Sequence, residues 1–133
     1  MKVSKKQETL RASQQFRRVY SQGRKISTPF FSAFFQKNDG PEQRLGITVT
    51  RKIGSAVVRN RCKRRLREIF RLRDRMAMSS IGFDLVINVR SEMLVADYKQ
   101  LESAFVSALL RFQDFIARAA RESDQVSRSE SVK

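Results

Sequence analysis

The chain has 133 residues and a formal net charge of +15, with 28 Lys and Arg against 13 Asp and Glu. This length suits one domain with one core and is too short for two ordinary domains. There is no His, so the commonest general base and metal ligand are missing. The single Cys can form neither an internal disulfide nor a zinc site. The composition therefore predicts no catalytic residue and no metal ligand carried by the protein.

The positive charge is concentrated in two parts of the chain. Residues 1–25 hold eight cations and one acid, and residues 51–75 hold eleven cations and two acids. Such a field suits a polyanion, either a nucleic acid or an anionic membrane surface. The membrane is the weaker alternative, because the chain has no Trp and no apolar run near the roughly 18 residues of a spanning helix. The polar N-terminus does not resemble a signal peptide, so we expect a cytoplasmic protein.

The first part of the chain predicts an arm and a short helix. Residues 1–11 are polar and basic, and we expect a flexible arm that could order on RNA. The following residues Phe16, Val19 and Tyr20 have the i, i+3, i+4 spacing of one helix face, and Gly23 predicts a left-handed stop. Cations adjoin these aromatics, so the helix combines charge with a stacking surface.

Two strands are predicted next. The aromatic segment 30–35 divides its four rings between the two sides of a strand, with Phe30 and Phe34 sharing one side. A sheet containing it must cover both faces or leave rings accessible. The simplest alternative is that all four rings are core. The turn cluster 38–41 and the alternating segment 44–50 then predict an antiparallel hairpin, whose small polar side could be approached by a ligand.

The segment from Ser55 to Met76 predicts a long helix around which the rest of the chain is organised. Nine of its 22 residues are Lys or Arg, Ser55 is a good N-cap, and no Gly or Pro interrupts it. At about 100° per residue, one stripe of roughly 80° is apolar and faces a core, formed by Val58, Cys62, Leu66, Ile69 and Met76. This position favours a core role for Cys62 over a nucleophilic one. The opposite side carries Arg59, Asn60, Lys63, Arg64, Arg67 and Arg71, with Arg61 at its edge.

A solvated helix surface is the ordinary explanation of a charged face. Such a face normally intersperses Glu with Lys, because like charges four residues apart repel. Here only Glu68 and Asp74 accompany the cations, which leaves an uncompensated row formed by Arg59, Lys63, Arg67 and Arg71. We therefore expect an anionic partner for this face.

The remaining chain predicts a third strand and a covering helix. Residues 83–90 alternate, with the apolar ones directed inward. The last helix, from about Asp97 to Ala119, should cover the core with Tyr98, Leu101, Phe105, Leu109, Phe112 and Ile116. Residues 121–133 are a polar and charged mixture and predict a disordered tail. The expected organisation is thus a single domain over residues 12–120.

The segment from Arg51 to Glu68, RKIGSAVVRNRCKRRLRE, resembles the signature of the bacterial ribonuclease P protein subunit. Its Arg-Asn-Arg, Lys-Arg and following Arg occur with the spacing of that family. The similarity covers roughly residues 10–112, including Phe16, Tyr20 and Gly23. In this chain Cys62 replaces a usually aliphatic residue and Tyr20 stands for Phe, and neither change conflicts with the family pattern.

The resemblance implies an α+β sandwich in the order α-β-β-β-α-β-α, with a mixed sheet and a left-handed β-α-β crossover. The sequence alone would not suggest that crossover, since nearly all such connections are right-handed. Only three clear strands are visible in the sequence. We expect the missing short strand near residues 51–53, unless the hairpin is longer than drawn.

The resemblance also implies a function. In the family, a large catalytic RNA with Mg²⁺ removes the 5′ leader of precursor tRNA, and the protein is an accessory subunit, with one protein per RNA expected. By position, the surface for the RNA subunit would comprise Lys52, Arg59, Asn60, Arg61, Lys63, Arg64 and Arg67, with Arg71 in the same row. The leader would lie in a cleft lined by Phe16, Tyr20 and Phe34, with Arg17 beside them. Mg²⁺ would be bound mainly by the RNA.

Two other classes of function stay open at this point. One is a ribosomal-type structural RNA-binding protein, and the other is a stand-alone nuclease. Asn60 is neutral within a cationic row, which favours hydrogen bonding to RNA or to a metal-bound water. Its alternative is an ordinary surface residue of the helix.

Overall fold

The computed structural model describes residues 13–73 and 82–132, so the N-terminal arm predicted at residues 1–11 lies outside it. Its elements are α1 (Ser13–Gln22), β1 (Arg24–Ser27), β2 (Phe31–Lys37), β3 (Gln43–Thr48), α2 (Ala56–Arg71), β4 (Phe83–Val89) and α3 (Tyr98–Val132). Short 3-10 turns cover Arg51–Ile53 and Ser91–Val95. The expected α+β class and the order α-β-β-β-α-β-α are confirmed.

The four strands form one mixed sheet in the order β1-β2-β4-β3. Strand β2 is antiparallel to β1 and to β4, whereas β3 is parallel to β4. The predicted hairpin between β2 and β3 is therefore wrong, although both strands exist. Strand β4 is buried over five successive residues and lies between two neighbours, as fully covered strands do. The crossover that contains α2 connects β3 to β4, and β3 lies on the side of β4 opposite to β2.

The strand that was missing from the sequence pattern is β1. It has only four residues and one buried side chain, Ile26, so it shows no alternation long enough to detect. Residues Arg51–Ile53, where the extra strand was expected, form a 3-10 turn instead.

Both faces of the sheet are covered by helices. On one face, α2 and α3 enclose the main core, in which the rings of Phe35 and Phe112 stack with centroids 4.6 Å apart. On the other face, α1 packs Val19 against Val86 of β4, with Phe34 alongside. The aromatic side chains of β2 are thus divided between the two faces of the sheet, as predicted. Phe30 is the exception, because it precedes the strand and packs against the main core.

Helix α2 is shorter than the sequence pattern predicts. Its N-cap is confirmed, since the Ser55 hydroxyl accepts a hydrogen bond from the backbone N–H of Val58, and Cys62, Leu66 and Ile69 are buried as expected. The helix ends at Arg71: the Leu72 N–H makes the last i to i−4 bond, to the carbonyl of Glu68, and the next N–H, that of Arg73, donates to the carbonyl of Phe70 instead. Met76 lies outside the described residues.

Helix α3 differs from its prediction at both ends. Tyr98, which was expected to be buried, is 39% exposed, because the helix begins there, one turn before the first buried position, Leu101. The helix then continues to Val132. Residues 121–132 are therefore helical where a disordered tail was expected, in a segment that contains neither Gly nor Pro.

Two glycines have steric roles of different kinds. Gly23 does not have the positive φ expected of a left-handed stop. It permits close packing, since a Cβ there would lie 2.3 Å from the carbonyl oxygen of Val19 and 2.8 Å from that of Phe35. Gly54, which joins the 3-10 turn to α2, has φ 158° and ψ −165°, a region that is essentially restricted to glycine.

Candidate nucleic-acid interface

The outer face of α2 carries the cations that the sequence assigns to an RNA surface. The buried side chains of Cys62, Leu66, Ile69 and Phe70 fix the helix on the core and leave the opposite side in solvent. Six of the eight predicted residues are exposed and the other two are half-buried: Lys52, Asn60, Arg61, Arg64, Arg67 and Arg71 are exposed, and Arg59 and Lys63 are half-buried. Lys52 lies in the turn just before the helix. The structure therefore brings these residues onto one continuous element.

The charge of this face is compensated at one position. Arg71 donates to Glu68 at 2.7 Å in an i, i+3 ion pair, and this hydrogen bond lowers the pKa of the Glu68 carboxyl. The expectation that Arg71 belongs to an uncompensated row is thus wrong. The other members of the row, Arg59, Lys63 and Arg67, form no ion pair with any residue in the described ranges.

Two further cations of the basic segment serve the fold. Arg65 turns inward and donates to the backbone carbonyls of Ala96, at 2.8 Å, and Met93, at 3.4 Å. The Arg73 guanidinium lies 3.6 Å from the ring centroid of Phe70, and its Nε donates to Gln43 at 2.8 Å. These contacts attach α2 to the turn before α3 and to β3, so the basic segment divides into structural and exposed cations.

Cys62 lies within the core side of α2. Burial raises the pKa of its thiol, and the neighbouring charges of Arg65 and Arg61 oppose that shift in part. The thiol is therefore neutral near pH 7, as the core role predicted for it requires.

A second surface is formed by α1 on the other face of the sheet. The rings of Tyr20 and Phe34 meet edge to face, with centroids 5.0 Å apart and an interplanar angle of 82°. Phe16 is half-buried beside the same Val19 cluster, and Arg17 is exposed. The three aromatic residues that the resemblance assigned to a cleft therefore lie together.

Three residues beside this aromatic cluster were not among those that the sequence assigned to the cleft. The Tyr20 hydroxyl contacts Asn88 of β4 and Thr48 of β3, and Lys25 Nζ lies 5.8 Å from the Phe34 ring centroid. Alternation did place Thr48 on the small polar side of its strand. Asn88 of β4 is paired with Thr48 in the sheet. Had the parallel pairing of β3 and β4 been known, Asn88 could have been placed on the same face of the sheet as Thr48.

The two surfaces approach each other at one end of the sheet. Thr48, which contacts Tyr20, is the last residue of β3, and the chain then runs through Arg51–Ile53 directly into α2. The aromatic cluster and the start of the basic helix are thus joined by fewer than ten residues of chain. A single polyanion, or two adjoining ones, could contact both surfaces at that end.

The acidic groups do not assemble into a metal site within residues 13–73 and 82–132, where no three His, Cys, Asp or Glu lie close enough to hold an ion. Asp84, the most buried carboxylate described, is paired with Arg44 through bonds of 2.8 and 2.9 Å. Over the same ranges, no helix combines the length and apolar character needed to cross a bilayer.

The fold and its two surfaces define a small basic α+β protein with a cationic helix on one face of its sheet and an aromatic cluster on the other. A family model described as Ribonuclease P matches residues 4–113. The ribonuclease P protein component of Clostridium botulinum strain Langeland is 36% identical over 104 residues, which cover 78% of this chain and 93% of that protein. The corresponding protein of Lachnoclostridium phytofermentans is 37% identical over 99 residues, covering 74% and 84%.

Solved structures give the same result. The ribonuclease P protein from Thermotoga maritima has a TM-score of 0.69 and 32% identity, and the match covers 78% of this chain and 96% of that one. A mutant of the Staphylococcus aureus protein has a TM-score of 0.71 at 24% identity, covering 84% and 92%, which supports the fold. The chain belongs to the ribonuclease P protein family. Membership gives it a role in tRNA processing, as the protein component of a ribonucleoprotein with an RNA partner.

Proposed function

We propose that this chain binds the catalytic RNA of ribonuclease P through α2 and the 5′ leader of precursor tRNA through the aromatic cluster on α1. The RNA, with Mg²⁺, then performs the endonucleolytic cut that gives the mature 5′ end. The observation that carries this proposal is the separation of the two surfaces. One is cationic and almost free of aromatics, and the other is aromatic and lies across the sheet from it.

The exposed face of α2 suits a folded RNA. Lys and Arg contacts to phosphates give affinity without reading sequence, and Arg61, Arg64 and Arg67 are exposed on this face. Arg59 adds a buried Nε that has no hydrogen-bond acceptor within the described chain. Such a donor gains from a phosphate oxygen when its side chain reorients toward RNA.

The aromatic cluster suits a single strand of variable sequence. Every base has a face that can stack on Phe or Tyr, and each such contact contributes about 1–3 kcal/mol. Leaders differ between precursors, so recognition by stacking tolerates their differences. Lys25 and the exposed Arg17 add cations beside the rings, where they can contact the leader backbone.

The chain's own residues assist the reaction without breaking a bond. Mg²⁺ supplies charge stabilisation to the cleavage step, and we assign its binding mainly to the RNA. Two carboxylates, Glu68 of α2 and Asp84 of β4, are already engaged by Arg71 and Arg44. The expected stoichiometry is one protein per RNA.

Reconstitution tests the division of labour. The purified chain, a bacterial ribonuclease P RNA and a precursor tRNA are combined in pairs and all together at moderate Mg²⁺, and the released leader is measured. We expect no cleavage by the protein alone and faster cleavage by the complex than by the RNA alone. Cleavage by the protein alone would overturn the assignment of catalysis to RNA. Tight binding to ribosomal RNA without any stimulation would favour a structural ribosomal-type protein.

The leader site is tested with Phe16→Ala in the reconstituted complex. Because a stacking surface is lost, we expect affinity for a leader-bearing precursor to fall by about five- to a hundredfold, while affinity for mature tRNA stays nearly unchanged. The matched control is Phe115→Ala, which removes a 37% exposed ring that lies on α3 and contacts Arg24. Equal losses for both tRNA forms would refute the cleft assignment.

A further inference from the structure

The hydroxyl of Tyr20 joins three elements of the fold. It donates to Asn88 Oδ1 over 2.6 Å, and it lies 3.1 Å from Thr48 Oγ1. The three side chains come from α1, β4 and β3, and the partners are 68 and 28 residues from Tyr20 in sequence. An exposed tyrosine on a surface helix does not need such partners, because water can satisfy its hydroxyl.

The direction of both hydrogen bonds follows from the number of protons. A phenol has one O–H, and that of Tyr20 is given to Asn88. Thr48 must therefore be the donor in its own contact, giving a chain of bonds from Thr48 through Tyr20 to Asn88. The side-chain N–H groups of Asn88 remain without a partner in the described part of the chain.

These bonds restrict a ring that is otherwise accessible. Tyr20 is 37% exposed. Its contact with Phe34 is edge to face, with an interplanar angle of 82°. Without its hydroxyl contacts, the ring would be free to change rotamer toward solvent. With them, it is fixed at both ends, by its backbone on α1 and by its hydroxyl on the sheet.

We propose that Asn88 and Thr48 are positioning residues that hold the ring of Tyr20 ready to stack on the leader of precursor tRNA. The proposal rests on the function proposed above. It assigns a role to Asn88 and Thr48, which belong neither to the signature segment nor to the aromatic cluster. A ring that is ordered before binding loses less conformational freedom when a base stacks on it. The geometry that carries this inference is the pair of hydrogen bonds across three elements.

The test uses the complex with a ribonuclease P RNA and compares the affinities of a leader-bearing precursor and of mature tRNA. Tyr20→Phe, Asn88→Ala and Thr48→Val should each reduce the leader-dependent gain in affinity by about two- to tenfold. Thr48→Ser, which keeps the hydroxyl, should restore it. The double variant Tyr20→Phe with Asn88→Ala should lose no more than the larger single loss, because both changes break the same bond.

The matched control is Tyr98→Phe, which removes the hydroxyl of the chain's other tyrosine, at a similar exposure of 39%, on α3 and outside the aromatic cluster. It should leave the leader-dependent gain unchanged. Thermal melting and affinity for the RNA subunit are measured for every variant, since a purely structural role would alter those values instead.

The outcomes separate this inference from the proposed function. If Phe16→Ala removes the leader-dependent gain while Asn88→Ala and Thr48→Val do not, the cleft stands and the positioning role is overturned. A loss with Tyr20→Phe alone would mean that the hydroxyl contacts RNA directly, which also overturns it. If Phe16→Ala has no effect, the leader-binding site itself is wrong.

Discussion

Neighbouring arginines on α2 have opposite surroundings. Arg64 is exposed on the outer face, whereas Arg65 donates to two carbonyls of the turn before α3. One residue of chain rotates a side chain by about 100° around a helix, which is enough to move it from solvent to a neighbouring element. The count of cations in this segment therefore overstates the number available to a ligand.

Replacing these two residues in turn should separate stability from binding. Arg65→Ala should lower the free energy of unfolding by about 1–3 kcal/mol, because two carbonyls lose a charged donor. Arg64→Ala should change it by less than about 0.5 kcal/mol and weaken RNA binding. Urea unfolding and filter binding measure the two quantities. Equal destabilisation by both changes would contradict the structural role of Arg65.

On the scale of the helix, the charge of α2 is graded along its length. Its middle carries Arg61, Arg64 and Arg67 without ion pairs among the described residues, while its end carries the Glu68–Arg71 pair. A cation that is already paired releases fewer counterions when it meets a phosphate. Each arginine should thus contribute to RNA affinity according to its own pairing.

The salt dependence of RNA binding tests this gradient. Arg67→Ala should reduce the slope of log affinity against log salt concentration by about 0.7 to 0.9, the value expected for one phosphate contact. Arg71→Ala should reduce it by less, because Glu68 already neutralises much of that charge. Glu68→Gln serves as the control and should strengthen binding by freeing Arg71. Identical slopes for the two arginine variants would show that the ion pair has no effect on RNA binding.

The elements themselves were predictable where their side chains repeat over several turns or residues. The buried stripe of α2, the Ser55 cap and the alternation of β4 follow directly from spacing. The strand partners did not follow, because the turn cluster between β2 and β3 favours a local hairpin, while β4 needs a neighbour on each side. Strand pairing depends on residues far apart in sequence, which local patterns do not report.

The site was predictable to a similar degree. The cationic face could be named from the spacing of the signature segment, and the three aromatics from their positions in the wider family resemblance. Arg65 and Arg73 could not be assigned to the fold, because their acceptors lie on other elements. The contacts of Asn88 and Thr48 with Tyr20 were hidden for the same reason.

At the level of the whole molecule, the packing of α3 is described over only part of its length. Among the side chains that the structure describes, Ile116 is the last one that packs against the main core, and the helix itself continues to Val132. The match to the family model ends nearby, at residue 113. The described core contacts of α3 and the family match therefore end within a few residues of each other.

Truncation should reveal this boundary. A chain that stops after Ala120 should melt within about 2 °C of the full chain and support precursor cleavage equally, because it keeps every core contact described for α3, including that of Ile116. A chain that stops after Gln113 loses Ile116 and should melt about 5 °C lower. Thermal melting and the reconstituted cleavage reaction measure both effects. A large loss from the shorter deletion would assign a structural role to residues 121–133.

The parallel pairing of β3 with β4 has a consequence for biosynthesis. The cationic helix lies between two strands that are neighbours in the sheet but are separated by 34 residues of chain, residues 49–82. During translation the signature segment leaves the ribosome before β4. The buried face of α2 therefore has no completed sheet to pack against until β4 has emerged. A nascent chain therefore exposes its arginines before they share a fixed geometry, and assembly with RNA has to wait for the strand that follows them.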